Sequence, residues 1–218
     1  MAKKIGVVLS GCGVFDGAEI HESVLTLLSL EKRGARVVCM APNVDQHHVI
    51  NHLTGKEMPE KRNVLVESAR IARGEIEDIA TVTANDLDAV VFPGGFGAAK
   101  NLCTFAFDGP NATVHPEVER LLKEMFAARK PIGLVCIAPA LGARVLGENG
   151  IEVTIGNDAD TAAGINKTGA RHVNCAVTET HEDPARKIIS TPAYMLGRNI
   201  AEVGTGIDKL VDTLLEWA

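Results

Sequence analysis

The chain has 218 residues, 46% of them apolar and 23% charged, and a formal net charge of −6. That length suits one ordinary α/β domain, or at most two small ones, and buries a core without disulfides or a structural metal. Charges of both signs are interspersed, so no basic block points to nucleic acid or an anionic membrane surface, and no apolar run is long enough to span a bilayer.

The apolar part of the N-terminal stretch is too short for a signal peptide and reads as the first strand, so the cytosol is the expected compartment. Cysteines stand at positions 12, 39, 103, 136 and 175. Their number is odd and no two are spaced as CxxC, which predicts free thiols in a reducing compartment.

Ile5–Ser10 is a short apolar run that reads as a buried parallel strand. Glu19–Lys32 follows as a helix, with Ile20, Val24, Leu27 and Leu28 at helical spacing and Gly34 closing it. Arg36–Ala41 is a second strand, which completes a βαβ unit and demands a parallel sheet. Residues 43–84 read as an insertion or a local sheet. They hold a short hairpin around Thr54 and Gly55 and a short helix closed by Gly74. Ala89–Phe92 is a third strand, Val114–Ala128 a helix, Pro131–Val135 a fourth strand, and Ile137–Leu146 the helix after it. Glu152–Ile155 reads as a strand, Thr161–Thr168 as a helix and Lys187–Ser190 as a late strand. The last helix carries Ile200, Val203, Ile207, Leu210, Val211, Leu214 and Leu215 on one stripe. The pattern predicts one doubly wound α/β domain over residues 1–218.

Sites in such sheets lie beyond the carboxyl ends of the strands. The segments there are SGCGVFDGAEIHE, PGGFGAAKN, CIAPA and TPAYM. The first has glycines at 11, 13 and 17, one residue off the dinucleotide fingerprint, and reads as a plain glycine-rich loop. In the second, Gly94 and Gly95 precede a helix start, where unpaired N–H groups suit an anion or oxyanion; a tight turn with no ligand fits equally. Cys136 stands at a strand-to-helix corner, which resembles a nucleophile elbow and puts the thiol on a helix dipole that favours thiolate. Cys12, also in a strand-end loop, is the rival thiol, and Cys39 reads as core. Glu22 falls off the apolar stripe of its helix, so periodicity alone makes it an ordinary first-turn acid. His48 and His52 are four apart, but nothing nearby completes a metal set, and a solvated face is expected for them and His47.

Together these segments resemble the PfpI/ThiJ type of the class I glutamine amidotransferase-like superfamily, and within it the ElbB-type glyoxalases of the enhancing-lycopene-biosynthesis group. Runs such as GVVLSGCGVFDGAEIHE, RNVLVESARIARGEI, PGGFGAAKNL and NIAEVGTGIDKLV carry the resemblance across nearly the whole chain. It implies a flavodoxin-like three-layer sandwich with a mostly parallel sheet, a homodimer, and neither cofactor nor metal. It places Cys136 as the nucleophile and Glu22 as its partner, against the periodicity. It places Gly94, Gly95 and Ile137 on the oxyanion side. The implied activity is conversion of small α-oxoaldehydes, glyoxal to glycolate, with a non-catalytic redox-sensing or regulatory protein as the alternative. Two departures matter. Ile137 stands where many relatives have histidine. The segment THEDP puts His181 directly beside Glu182, so the H-x-E spacing of true amidotransferases is missing; His172 and His181 remain as candidates for a third group.

Overall fold

The computed structural model describes residues 2–218. In chain order the elements are β1 (Lys4–Val8), α1 (Ile20–Lys32), β2 (Arg36–Ala41), β3 (Val49–Asn51), β4 (Lys56–Met58), α2 (Val64–Ile71), β5 (Glu77–Asp78), β6 (Ala89–Phe92), α3 (Phe96–Lys100), α4 (Phe105–Asp108), α5 (Pro116–Ala127), β7 (Ile132–Val135), α6 (Ala138–Leu146), β8 (Glu152–Val153), α7 (Ala159–Asn166), β9 (Arg171–His172), β10 (His181–Asp183), β11 (Ile188–Thr191) and α8 (Ile200–Trp217). The main sheet runs β10–β11–β7–β6–β1–β2–β5. All its pairings are parallel except β10 with β11. This is the expected α/β fold with a mostly parallel central sheet.

Alternation along the strands divides the core into two layers. Ile5, Val7, Ala89, Val91 and Ile189 pack with Leu30 of α1 and with Val203, Ile207, Leu210 and Leu214 of α8. Val8, Val90, Phe92, Ile132, Leu134 and Ile188 pack with Leu121, Leu122 and Met125 of α5 and Leu141 of α6. Because β1 has β2 on one side and β6 on the other, the strand order reverses at the β1–β6 boundary. The loops leaving those two strands part there and open a crevice at the carboxyl edge.

Two expectations change. The apolar stripe assigned to α1 faces out: Ile20, Val24 and Leu28 are each more than 40% exposed, whereas Glu22, Ser23, Thr26, Ser29 and Leu30 are buried. The inward rows serve hydrogen bonds. Ser29 Oγ donates to Asp208 of α8 at 2.6 Å, and the Arg33 guanidinium reaches both Asp208 and Asp212. Residues 43–84 also divide in two. The β3–β4 hairpin stands apart from the main sheet, as the Thr54–Gly55 turn suggests, but α2 is a crossover and β5 pairs with β2 as the sheet's last parallel strand.

Candidate active site

Cys136 follows β7 and precedes α6. Its φ is +61°, the left-handed region that side chains rarely adopt. The turn is held from below, where Cys136 N–H donates to Thr191 O at 3.0 Å. The thiol is thereby lifted to the edge of a cavity of about 240 Å³ lined by Val14, Glu19, Gly95, Phe96, Ile137 and Tyr194, among others. Cys136 itself is only 7% exposed.

Glu22 comes up from the first turn of α1 behind the thiol. Glu19 caps that helix, its carboxylate accepting from Glu22 N–H at 2.7 Å. The Glu22 side chain is fully buried, and both its oxygens are held. Oε2 accepts from Gly94 N–H at 3.0 Å and Oε1 from Tyr194 N–H at 3.1 Å. Carboxyl and thiol both stand against Gly94, close enough to act on each other's titration. Gly94 lets them meet: a Cβ there would stand 2.6 Å from Glu22 Oε2 and 2.9 Å from Cys136 Sγ. Gly95 has φ +92°, and a side chain on it would strike the backbone of residues 17–19.

Electrostatics follow from burial. Desolvation raises Glu22 to about 7, and the Glu19 carboxylate adds to that rise, against the lowering from its hydrogen-bond donors. Desolvation, reinforced by the Glu22 charge, pushes the Cys136 thiol well above its ordinary range. This corrects the expectation of a thiolate stabilised by the helix dipole: burial and a neighbouring carboxylate outweigh it. The thiol therefore rests protonated, with the Glu22 carboxyl beside it.

The structure brings Cys136, Glu22, Gly94, Gly95 and Ile137 together. The Gly95 and Ile137 N–H groups lie near enough to the Cys136 sulfur to favour its thiolate. Gly94 N–H is taken by Glu22, so Gly94 holds the carboxyl and does not face an oxyanion. Cys12 does not join the site; its charged neighbours are Glu67, Arg70, Asp16 and Arg62. His172 and His181 lie elsewhere, His172 accepting from Ile155 N–H and His181 meeting Glu152. His52 and His48 are occupied as well, by Phe15 N–H and by the Lys100 ammonium. Among the described residues, no histidine lines the cavity. Sequence reasoning missed Glu19, Phe96 and Tyr194. The last sits on the Ala193–Met195 turn after β11, where Ala193 has φ +43°. The segment TPAYM was visible as a strand end, but nothing in it singled out the tyrosine.

A glutamine amidotransferase-like class 1 domain-containing protein of Homo sapiens, named as mitochondrial, is 49% identical over 99% of this chain and 83% of its own length. An ES1 protein homolog of Rattus norvegicus, also named as mitochondrial, is 48% identical over 98% and 83%. The chain belongs to the ES1 family. Among solved structures, an isoprenoid biosynthesis protein with an amidotransferase-like domain from Ehrlichia chaffeensis superposes with a TM-score of 0.92 at 38% identity, over 99% of this chain and all of its own. The DJ-1beta protein of Drosophila melanogaster, 17% identical with a TM-score of 0.57 over 100% and 96% of the two chains, shares the fold. No protein-family model matches the sequence. The human relative is glutamine amidotransferase-like by name, so the resemblance to the wider superfamily stands; the rat and zebrafish relatives are ES1 proteins by name, and none of the three is named as an ElbB-type glyoxalase. The cytosolic expectation does not: the human, rat and zebrafish relatives are all named as mitochondrial. The first strand absorbs the N-terminal apolar run, and such a run carries no information on compartment.

Proposed function

We propose that the protein is an ElbB-type, cofactor-independent glyoxalase that converts small α-oxoaldehydes to hydroxy acids, glyoxal to glycolate. The observation that carries this reading is the Cys136–Glu22 pair on a left-handed turn at the edge of a small cavity. Glu22 takes the thiol proton as Sγ adds to the aldehyde carbon, giving a hemithioacetal. The Gly95 and Ile137 N–H groups stabilise the oxyanion. That oxygen takes on the proton from Glu22, which restores the carboxylate; Glu22 then moves the carbon-bound hydrogen to the adjacent carbon, and water hydrolyses the resulting thioester to the hydroxy acid and free thiol. An apparent deglycase activity on glycated amines or thiols follows from the same chemistry.

Purified protein should form glycolate from glyoxal without glutathione or added metal; unchanged turnover in Cys136→Ala would sink the proposal. The burial and raised thiol of Cys136 count against a peroxide sensor, which needs an exposed, acidic thiol. In this reading the chain works in the mitochondrion, as its relatives' names suggest. It works as a homodimer, for which the exposed Ile20, Val24 and Leu28 face of α1 is support; light scattering tests that state.

A further inference from the structure

Isomerising a hemithioacetal to a thioester moves two hydrogens. One leaves carbon 1 for carbon 2. The other leaves the oxygen on carbon 1 for the oxygen on carbon 2. Glu22 is placed for the first, since it stands against the sulfur to which carbon 1 is bonded. It does not serve the second: the oxygen on carbon 2 lies further from the sulfur, on the cavity side, and Glu22 is not among the residues that line the cavity.

Tyr194 lines the same cavity. Its hydroxyl is 2.7 Å from Nδ1 of His21, an exposed residue on the first turn of α1. Two elements far apart in sequence thus join the phenol of a cavity-lining residue to an exposed imidazole. The tyrosine is fixed at its root as well. Ala193 is fully buried at φ +43°, and Tyr194 N–H is tied to Glu22. Desolvation and the Glu19 and Glu22 carboxylates keep the phenol protonated, so it enters the reaction as a donor.

We propose that Tyr194 is a further catalytic residue, carrying the oxygen-bound hydrogen, and that His21 is its positioning partner. The inference rests on the glyoxalase reading. The phenol gives its proton to the oxygen on carbon 2 as the carbon 1–hydrogen bond breaks toward Glu22 and an enediol forms. It regains a proton from the hydroxyl on carbon 1 as that oxygen becomes the thioester carbonyl and Glu22 returns its proton to carbon 2. Carbon 1 is oxidised and carbon 2 reduced within one molecule, so no outside oxidant or reductant enters. The His21 ring accepts from the phenol and exchanges protons with water. Tyrosine and imidazole together do what the Ile137 position does not supply.

Tyr194 is the only tyrosine in the chain, so growth on 3-fluorotyrosine labels this site alone. The experiment measures kcat and KM for glyoxal against pH in the unmodified protein, the fluorotyrosine protein and Tyr194→Phe. The phenylalanine variant keeps the ring and the N–H that holds Glu22. Its kcat should fall about 10²- to 10⁴-fold, the range for loss of a general acid–base group, with KM much less affected. Fluorine makes the phenol more acidic, so the alkaline limb of the kcat profile should move to lower pH, which a packing role would not cause. A Tyr194→Phe kcat close to that of the unmodified protein, or an unmoved limb, overturns the inference while the glyoxalase reading survives. An unmodified protein that forms no glycolate overturns both.

Discussion

The raised carboxyl of Glu22 makes a stability prediction that needs no substrate. An ordinary glutamate titrates near 4.3, and burial brings this one to about 7. Between those values the folded chain keeps a proton that the unfolded chain has released. Stability then falls as pH rises, by about 1.4 kcal/mol per pH unit. The contribution is whole below the ordinary carboxylate range and gone once pH passes about 7, a loss of about 4 kcal/mol. Glu22→Gln removes this titration. Glutamine offers one oxygen to two inward N–H donors, those of Gly94 and Tyr194, and the buried donor left over costs about 1–3 kcal/mol. The wild type should therefore be the more stable protein at pH 5, and the gap should close or reverse by pH 8. Urea unfolding of both proteins at a series of pH values measures it, with equal m-values as the check on two-state behaviour. Groups common to both cancel in the difference. Parallel stability curves between pH 4.5 and 8 would refute the reasoning, because the carboxyl would then have no raised titration in the folded state.

Gly94→Ala puts a Cβ 2.4 Å from Cys136 Cβ and 2.6 Å from Glu22 Oε2; overpacking should cost about 1–3 kcal/mol, and both glycolate formation and the rate of Cys136 alkylation should change, an unaltered alkylation rate contradicting the packing. Asp16, buried at 4% exposure, accepts from Ile50 N–H at 2.6 Å and faces His52. Asp16→Ala should destabilise by about 1–3 kcal/mol and speed amide exchange in β3 and β4, with unchanged exchange there arguing that the hairpin is held elsewhere.

Most of the sheet was legible because its strands are short apolar runs with breakers at their ends. Arg36–Ala41 and Ala89–Phe92 match the structure residue for residue, and Val114–Ala128 shortens only because Pro116 takes the first helical position after the His115 cap. The two-residue strands β5 and β9 and the antiparallel edge β10 carried no such run, since their residues are charged or histidine. Cys136 was legible from its corner. Glu22 was not, because a periodicity argument assumes that the inward face of a helix is the apolar one. On α1 the inward face is polar, and only resemblance supplied the carboxyl. Tyr194 and His21 could not be read at all, since 172 residues separate Glu22 from the turn that meets it.

Where the fold accepts unfavourable terms argues for where its function lies. Among the described residues, five other than glycine have positive φ: Arg73, Arg129, Cys136, Lys187 and Ala193. Arg73 and Arg129 follow helices and are exposed, and Lys187 precedes a strand in a half-buried turn; left-handed residues at such ends are ordinary. Cys136 and Ala193 differ. Both are buried, Cys136 directly after β7 and Ala193 one residue beyond β11, and the Cys136–Thr191 hydrogen bond joins the ends of those two parallel strands. Each costs about 1–2 kcal/mol against a relaxed backbone. Between them stands Glu22, which burial alone disfavours as a carboxylate. A fold built for stability would put glycine at both turns and an apolar side chain on α1. All three unfavourable choices converge instead on one cavity edge, and each aims a reactive group: the turn at 136 the thiol, the turn at 193 the phenol, and the buried row of α1 the carboxyl.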